Sequence, residues 1–436
     1  MKDKFESIKP VLKPIIIAGS ILLVLLIITK VLAIVKGSKE PETSDEPIVK
    51  IEATNDKVYK SFSDVDINDF TITATHKDDI TEELDVSLVS LYTAESKPVG
   101  EEVAVKLILK ENKDITCEAK VKIKREKIMG FQCGYPNVTD VIAVLYSNGE
   151  LCFEGEGDTL VFYEGDYPWL TYDERKDYPI VSVSFQDTVT PTNMNYWFEN
   201  IDTLIYVDPI PASVRTMVKT FYGCDSLKAT SDWTKADSLL NINQAYYECT
   251  SLKYIHALPE RVRIAKETFS GCSELQKTPD MSKATSLVNT TGMFSNCGKL
   301  IQTEMPPNVT DISKMFSGCI NLKQMPDISP SVVIMSGCFS GDINLTYLTE
   351  IPETVDNISS AFDGCEMITG ELVVNANPHN FSSMFSDAAV ATKVNLIGNS
   401  MMLDVLANTS DSGNIYVNKA KPNPNLKNYN DVFATN

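Results

Sequence analysis

Apolar positions in the second half of the chain recur with a period of tens of residues. Aligning FYGCDSL, YYECTSL, FSGCSEL, FSNCGKL, FSGCINL, FSGDINL and FDGCEMI gives a unit of 22 to 25 residues. An aromatic residue, position zero of the unit, recurs at Phe198, Phe221, Tyr246, Phe269, Phe294, Phe316, Phe339, Phe362 and Phe385. Position +3 holds Ile201, Cys224, Cys249, Cys272, Cys297, Cys319, Asp342, Cys365 and Ala388; position +6 holds Leu204, Leu227, Leu252, Leu275, Leu300, Leu322, Leu345, Ile368 and Ala391. Position −4 is mostly apolar (Met194, Met217, Ile242, Ile312, Met335, Ile358, Phe381), so −4, 0 and +3 fall on one helical face. Position −5 carries Asn193, Thr216, Asn241, Asn289, Asp311, Asn357 and Asn380, side chains suited to accept orphan N–H groups at a helix start. Position +2 holds Gly223, Gly271, Gly318, Gly341 or Gly364, a residue type that ends helices in the left-handed conformation. The spacing therefore predicts a helix of under two turns per unit. A short strand through the +6 aliphatic follows, commonly stopped by a proline (Pro259, Pro279, Pro306, Pro326, Pro352). One such unit cannot bury a core alone, but stacked copies share a continuous one, so the expectation is a solenoid.

Upstream the period changes to two. Phe70, Ile72 and Ala74, then Val103, Val105, Leu107 and Leu109, then Ile115, Cys117, Ala119, Val121 and Ile123 alternate with polar residues, the pattern of short half-buried strands in a β-sandwich. Asn148-Gly149 lies between apolar runs in VIAVLYSNGELCFEG and predicts a tight hairpin. A further strand is expected through Val181, Val183 and Phe185, and these strands are placed to seal the open apolar end of the first repeat.

Before the linker SKEPETSDEP, Ile15 to Val35 is almost wholly aliphatic and long enough to cross a bilayer as a helix. Lys2, Lys4, Lys9 and Lys13 precede it, while Glu40, Glu42, Asp45 and Glu46 follow, which sets the N-terminus cytoplasmic and the rest outside. An uncleaved anchor is expected; a cleaved signal peptide, with Val35 and Gly37 near the cut, is the competing reading. The expected organisation is a basic segment at 1–14, a transmembrane anchor at 15–36, a linker at 37–47 and a β-sandwich at 48–126. A β-rich cap at 130–190, the repeat array at 191–410 and a C-terminal cap at 411–436 complete it.

Charge narrows the partners. A formal net charge of -20 argues against general affinity for nucleic acid or anionic membrane surface, both of which need cationic patches.

The M-F-S-x-C-x-x-L unit (Met293, Phe294, Cys297, Leu300; Met315, Phe316, Cys319, Leu322), preceded by AVLYSNGELCFEG and YWFENIDTL, resembles BspA-like leucine-rich-repeat surface proteins of bacteria. The likeness covers roughly 130–436, and GNIYV is similar to the strand that closes such arrays. Residues 48–124, with DVDINDFTITAT, resemble the bacterial immunoglobulin-like modules that act as spacers. The first resemblance implies a surface-exposed, non-catalytic protein engaged in adhesion or partner binding, and leaves the ligand unnamed. Asp342 in the cysteine column and the degenerate unit after Phe385 depart from the pattern.

Candidate chemistry is sparse. The cysteine column is read as buried thiols filling one small apolar slot, against a disulfide ladder, because Asp342 and Ala388 interrupt it and it recurs singly. No zinc spacing, GxSxG, HExxH or P-loop is present, and His76, His256 and His379 stand isolated, so neither metal, cofactor nor catalytic residue is expected. An enzyme reading would need a pocket with clustered acid groups. The Asn-x-Ser/Thr triplets fit caps and turns. The partner-binding expectation falls on the two positions after each +6 aliphatic: Lys228, Lys253, Tyr254, Lys277, Gln302, Lys323, Gln324 and Tyr347. Such a row could contact a protein or glycoprotein ligand, or be ordinary strand surface. The expected repeat core comprises Phe221, Cys224, Leu227, Phe269, Cys272, Leu275, Phe294, Cys297, Leu300, Phe316, Cys319, Leu322, Phe362 and Cys365. The alternative function is a structural envelope component binding cell-wall or host polysaccharide.

Overall fold

The computed structural model describes residues 44–93, 96–172, 176–376, 378–388, 391–396 and 416–417. The expected anchor at 15–36 and most of the expected C-terminal cap lie outside these residues; among the described ones, no helix is long and apolar enough to cross a membrane. The chain divides into two compact units. One draws on the chain up to Tyr59 with Ser63–Ser96 and Glu102–Lys122, the other on Lys60–Phe62, Lys97–Glu101 and everything from Ile123.

The first unit is built on strands, joined in part by short 3-10 turns at Ile67–Asp69 and Val86–Leu88. β1 (Ile48–Thr54), β3 (Thr71–His76) and β4 (Thr81–Glu83) form one antiparallel sheet in the order β1-β3-β4. β2 (Val58–Tyr59), β5 (Val89–Tyr92), β6 (Glu102–Leu109) and β7 (Thr116–Ile123) form a second, ordered β2-β7-β6-β5. The period-two alternation becomes a buried face on each: Ile72 and Ala74 in β3, Val103, Val105, Leu107 and Leu109 in β6, Ala119 and Val121 in β7. Each such pair of faces hides apolar area at about 25 cal/mol per Å², the term that offsets chain ordering.

The second unit opens with a five-stranded sheet, β14-β13-β11-β10-β8, made from β8 (Lys127–Gln132), β10 (Val141–Tyr146), β11 (Glu150–Gly155), β13 (Ser182–Phe185) and β14 (Tyr206–Val207). A short pair, β9 (Gly134–Tyr135) with β12 (Asp158–Thr159), lies in the same stretch. The hairpin between β10 and β11 turns at Asn148-Gly149. Gly149 has φ +82°, and a Cβ there would sit 2.7 Å from Val181 Cγ2 and 2.8 Å from Pro179 O, so only glycine fits. β10 and β11 are antiparallel, whereas β11, β13 and β14 run parallel. That switch is where the cap becomes repeat, because Tyr206 of β14 is position +8 of the first unit.

In the repeats the predicted helices are absent. Position −2 has positive φ in every unit, including Lys219, Lys314 (+55°) and Gly337 (+61°), and so does position +2, including Asn200 and Gly318 (+78°). Two left-handed residues four apart prevent an α-helix, and the segment is a run of hydrogen-bonded turns. In the Phe294 unit, Met293 N–H donates to Thr290 O (3.0 Å), Ser295 N–H to Gly292 O (3.0 Å) and Cys297 N–H to Phe294 O (3.2 Å). The intervening amides point to the next coil: Thr290, Gly292, Phe294 and Asn296 donate to Asp311, Ser313, Met315 and Ser317 carbonyls at 2.7 to 2.9 Å. Alternate donors thus close turns and tie coils, which satisfies the backbone without a helix.

The single-residue β-ladder is also displaced from expectation. It runs unbroken at position −5, from Asn193↔Thr216 through Asn241, Ile264, Asn289, Asp311 and Ile334 to Asn357↔Asn380. A second ladder lies after the +6 aliphatic, as expected, with bridges Ala229↔Tyr254, Lys277↔Gln302 and Gln324↔Tyr347. It lengthens into true strands at its end: β15 (Thr369–Val374) pairs with β16 (Ala391–Leu396), and β16 with β17 (Tyr416–Val417), all parallel.

Candidate interaction surface

The +7 and +8 residues are held by ladder bonds. Lys253 N–H and Tyr254 N–H both donate to Lys228 O (2.8 and 3.1 Å), and Thr346 and Tyr347 N–H both to Lys323 O (2.9 Å each). The +6 aliphatic turns inward, and Leu227, Leu252, Leu275, Leu300, Leu322 and Leu345 are buried. The named side chains at the next two positions face water. Lys228, Lys253, Tyr254, Lys277, Gln302, Lys323, Gln324 and Tyr347 are all exposed, Tyr254 at 49% and Tyr347 at 64%. Parallel coils repeat about every 4.8 Å, so these side chains form a row.

The row is cationic and partly free. Lys253 lies 3.9 Å from Glu274, which Lys299 also grips; the Lys299 hydrogen bond holds the Glu274 carboxyl below the usual range. Among the described residues no ion pair engages Lys228, Lys277 or Lys323. Tyr254 packs edge-on against His256, with centroids 5.0 Å apart, and His256 Nδ1 lies 3.1 Å from Thr230 Oγ1.

Beneath the row the rings of all nine units stack. Eight successive pairs from Phe198–Phe221 to Phe362–Phe385 have centroids 4.9 to 5.9 Å apart and planes within 22°. The cysteines at +3 are free thiols, and each S–H donates to the carbonyl of the preceding aromatic: Cys224 to Phe198 O at 3.1 Å, Cys272 to Tyr246 O at 3.2 Å, Cys297 to Phe269 O at 3.2 Å. Burial pushes these thiols well up, which leaves them un-ionised and inert. The core residues named above from Phe221 to Cys365 are all buried.

Reading the sequence missed position −1. Trp197, Thr220, Ala245, Thr268, Met293, Met315, Cys338, Ala361 and Met384 are all buried there, and their mixture of polar and apolar types conceals the column. It also missed the plug at the first coil. Trp169 Nε1–H donates at 2.6 Å to Trp197 O, the carbonyl that a preceding coil would otherwise serve, and the indoles meet edge to face at 5.6 Å. Arg125 supports the cap by an ion pair with buried Glu150 at 2.8 Å while covering the Tyr146 ring at 3.5 Å. The −5 side chains do cap, but they cap turns: Asn289 Oδ1 accepts Thr291 N–H at 3.1 Å and Asp311 Oδ1 accepts Ser313 N–H at 3.0 Å.

No group of three or more potential metal ligands occurs among the described residues. One open pocket is lined by Asp327, Glu350 and Glu353 with Ile328, Pro352 and Asn375. All three carboxylate side chains are exposed.

Residues 176–276 and 241–369 match the family described as BspA type leucine rich repeat region, in 6 copies. Among solved structures, the chain is similar to a leucine-rich repeat protein from Bacteroides ovatus ATCC 8483, at 18% identity over 67% of this chain and 99% of that one, with a TM-score of 0.29. It is similar also to one from Eubacterium ventriosum ATCC 27560, at 14% identity over 60% of this chain and 95% of that one, with a TM-score of 0.25. No curated protein matches.

Proposed function

We propose that this BspA-type leucine-rich-repeat protein is a cell-surface adhesion or protein-binding scaffold, with the +7/+8 row as its contact stripe. The observation that carries the reading is the row itself: eight exposed side chains at ladder spacing, three of them lysines with no ion-pair partner among the described residues, in a chain of net charge -20. Such a surface attracts an acidic protein or glycoprotein and sets its register through regularly spaced donors. Anchoring through 15–36 and an immunoglobulin-like spacer at 48–126 complete the proposal: the helix holds the chain at the membrane and the spacer carries the repeats outward.

The test is capture of partners from host or envelope extracts by the soluble chain lacking the anchor, compared with Lys253→Glu/Lys277→Glu/Lys323→Glu. Reversing three charges should weaken a captured partner by at least tenfold at low salt, through slower association. Undiminished capture by the triple variant, or retention that needs only residues 48–126, would move the site elsewhere.

A further inference from the structure

The +3 slot of the seventh repeat holds Asp342, which is 0% exposed, as are Cys319 and Cys365 in the same slot of the adjacent coils. Its Oδ1 accepts the Cys319 N–H at 2.7 Å, while Oδ2 is buried with no hydrogen-bond partner. Elsewhere the slot presents a donor: Cys319 S–H reaches Phe294 O at 3.2 Å and Cys365 S–H reaches Phe339 O at 3.1 Å. A protonated carboxyl retains a donor, with Oδ1 accepting the Cys319 amide and the proton carried on Oδ2. A carboxylate would be a lone charge in an apolar stack.

The titratable groups around it offer no compensation. They are the thiols of Cys319 in the preceding coil, Cys338 in its own and Cys365 in the following one, and the further charges acting on those thiols are Asp311 and Asp363. No lysine, arginine or histidine is among the groups acting on the carboxyl, and burial drives it well above the usual carboxylate range.

We propose that Asp342 is an acid lock in the repeat stack: the coils close on its neutral carboxylic acid, and local opening passes that one proton to solvent, so rising pH loosens this seam. The opened carboxyl titrates at about 3.9, and the closed one higher. Between those two values the closed state holds one extra proton. The lock's contribution is full below the opened-state value and is lost as pH rises through the closed-state value, with the opening constant growing up to about tenfold per pH unit. The Thr346 and Tyr347 amides that bond Lys323 O cross the same seam, so the Tyr347 end of the contact stripe shares its loosening.

Amide hydrogen exchange on the full chain in neutral detergent tests this, with rates corrected for intrinsic pH dependence from about pH 5 to about pH 8. Segments spanning Phe316 to Leu345 should open more readily as pH rises, by up to about tenfold per unit, while those around Tyr246 and Phe269 do not. Asp342→Asn should abolish the slope. Asp342→Cys, which restores the residue that six other units place there, should abolish it and raise protection at neutral pH. A flat wild-type profile, or a slope that persists in Asp342→Asn or Asp342→Cys, overturns the proposal. Should the Asn variant fail to fold, the Cys variant decides alone.

Discussion

Exchanging glycine and lysine at position −2 separates a turn coil from a helix by the sign of the effect. Gly337 sits at φ +61°, and a Cβ there would meet Lys314 Cγ at 3.4 Å and Ser340 Cβ at 4.0 Å, so space is available. The cost of Gly337→Ala is then conformational, about 1–2 kcal/mol for a left-handed residue, reduced by about 0.4–1 kcal/mol because alanine restricts the unfolded chain. Net destabilisation of about 0.5–1 kcal/mol is expected. Lys314, exposed at φ +55° with no ion-pair partner among the described residues, should show the mirror image: Lys314→Gly stabilises by about the same amount. In a helix both signs reverse, since alanine there is preferred to glycine by about 1 kcal/mol. The assay is urea unfolding followed by tryptophan fluorescence. All three tryptophans, Trp169, Trp197 and Trp233, are buried in the second unit, so the signal reports the cap and repeats and not the first unit. Stabilisation by Gly337→Ala together with destabilisation by Lys314→Gly would refute the turn-coil geometry.

Phe294→Ala removes a ring stacked at 5.5 Å on Phe269 and 5.9 Å on Phe316, and should cost about 3–5 kcal/mol in the same urea assay; a loss under about 1 kcal/mol would place the ring outside the core. Burial alone would raise the Glu150 carboxyl, but hydrogen bonds from Arg125, Ser184 and the Gly100 amide outweigh it and lower the value. Its stabilisation is therefore present above about pH 4.3 and lost as pH falls through the lower folded value. Arg125→Ala should destabilise by about 2–4 kcal/mol at neutral pH and move acid unfolding to higher pH, and an unchanged acid midpoint would contradict the ion pair's role. The column thiols of Cys224, Cys249, Cys272, Cys297, Cys319 and Cys365 should resist alkylation until the chain is unfolded, and reductant should leave the melting temperature unchanged; a fall on reduction would reveal disulfides instead.

The repeat was legible because its core columns use few residue types, aromatic at zero, cysteine at +3 and leucine at +6. Its backbone was not. Consecutive turns that each close a hydrogen bond over three residues bury −4, 0 and +3, the same positions that one helical face would bury. Hydrophobic periodicity therefore cannot separate the two. Left-handed φ can, yet only some units mark it with glycine: position −2 holds Gly292 and Gly337 but also Lys219, Gln244, Glu267 and Lys314. The −5 asparagines pointed correctly to capping, and their place in a continuous ladder was hidden because Ile264 and Ile334 occupy the same column without capping at all. Strand alternation would turn +8 inward with +6 and expose +7 alone, so the sequence left open which of each pair faces out. With Lys253 at +7 and Tyr254 at +8 both are exposed, because the ladder is only a single bridge long at each coil. Asp342 was visible as an exception; that its Oδ2 has no partner is a property of packing.

A crystal structure of the repeat region, with density for Phe269 through Phe362, tests the central geometry most directly. Rings 5 to 6 Å apart in one dry column, with Lys314 and Gly337 both at positive φ, are the expected result. Helical backbone from Ile312 to Gly318, or any of these rings turned to solvent, would contradict it.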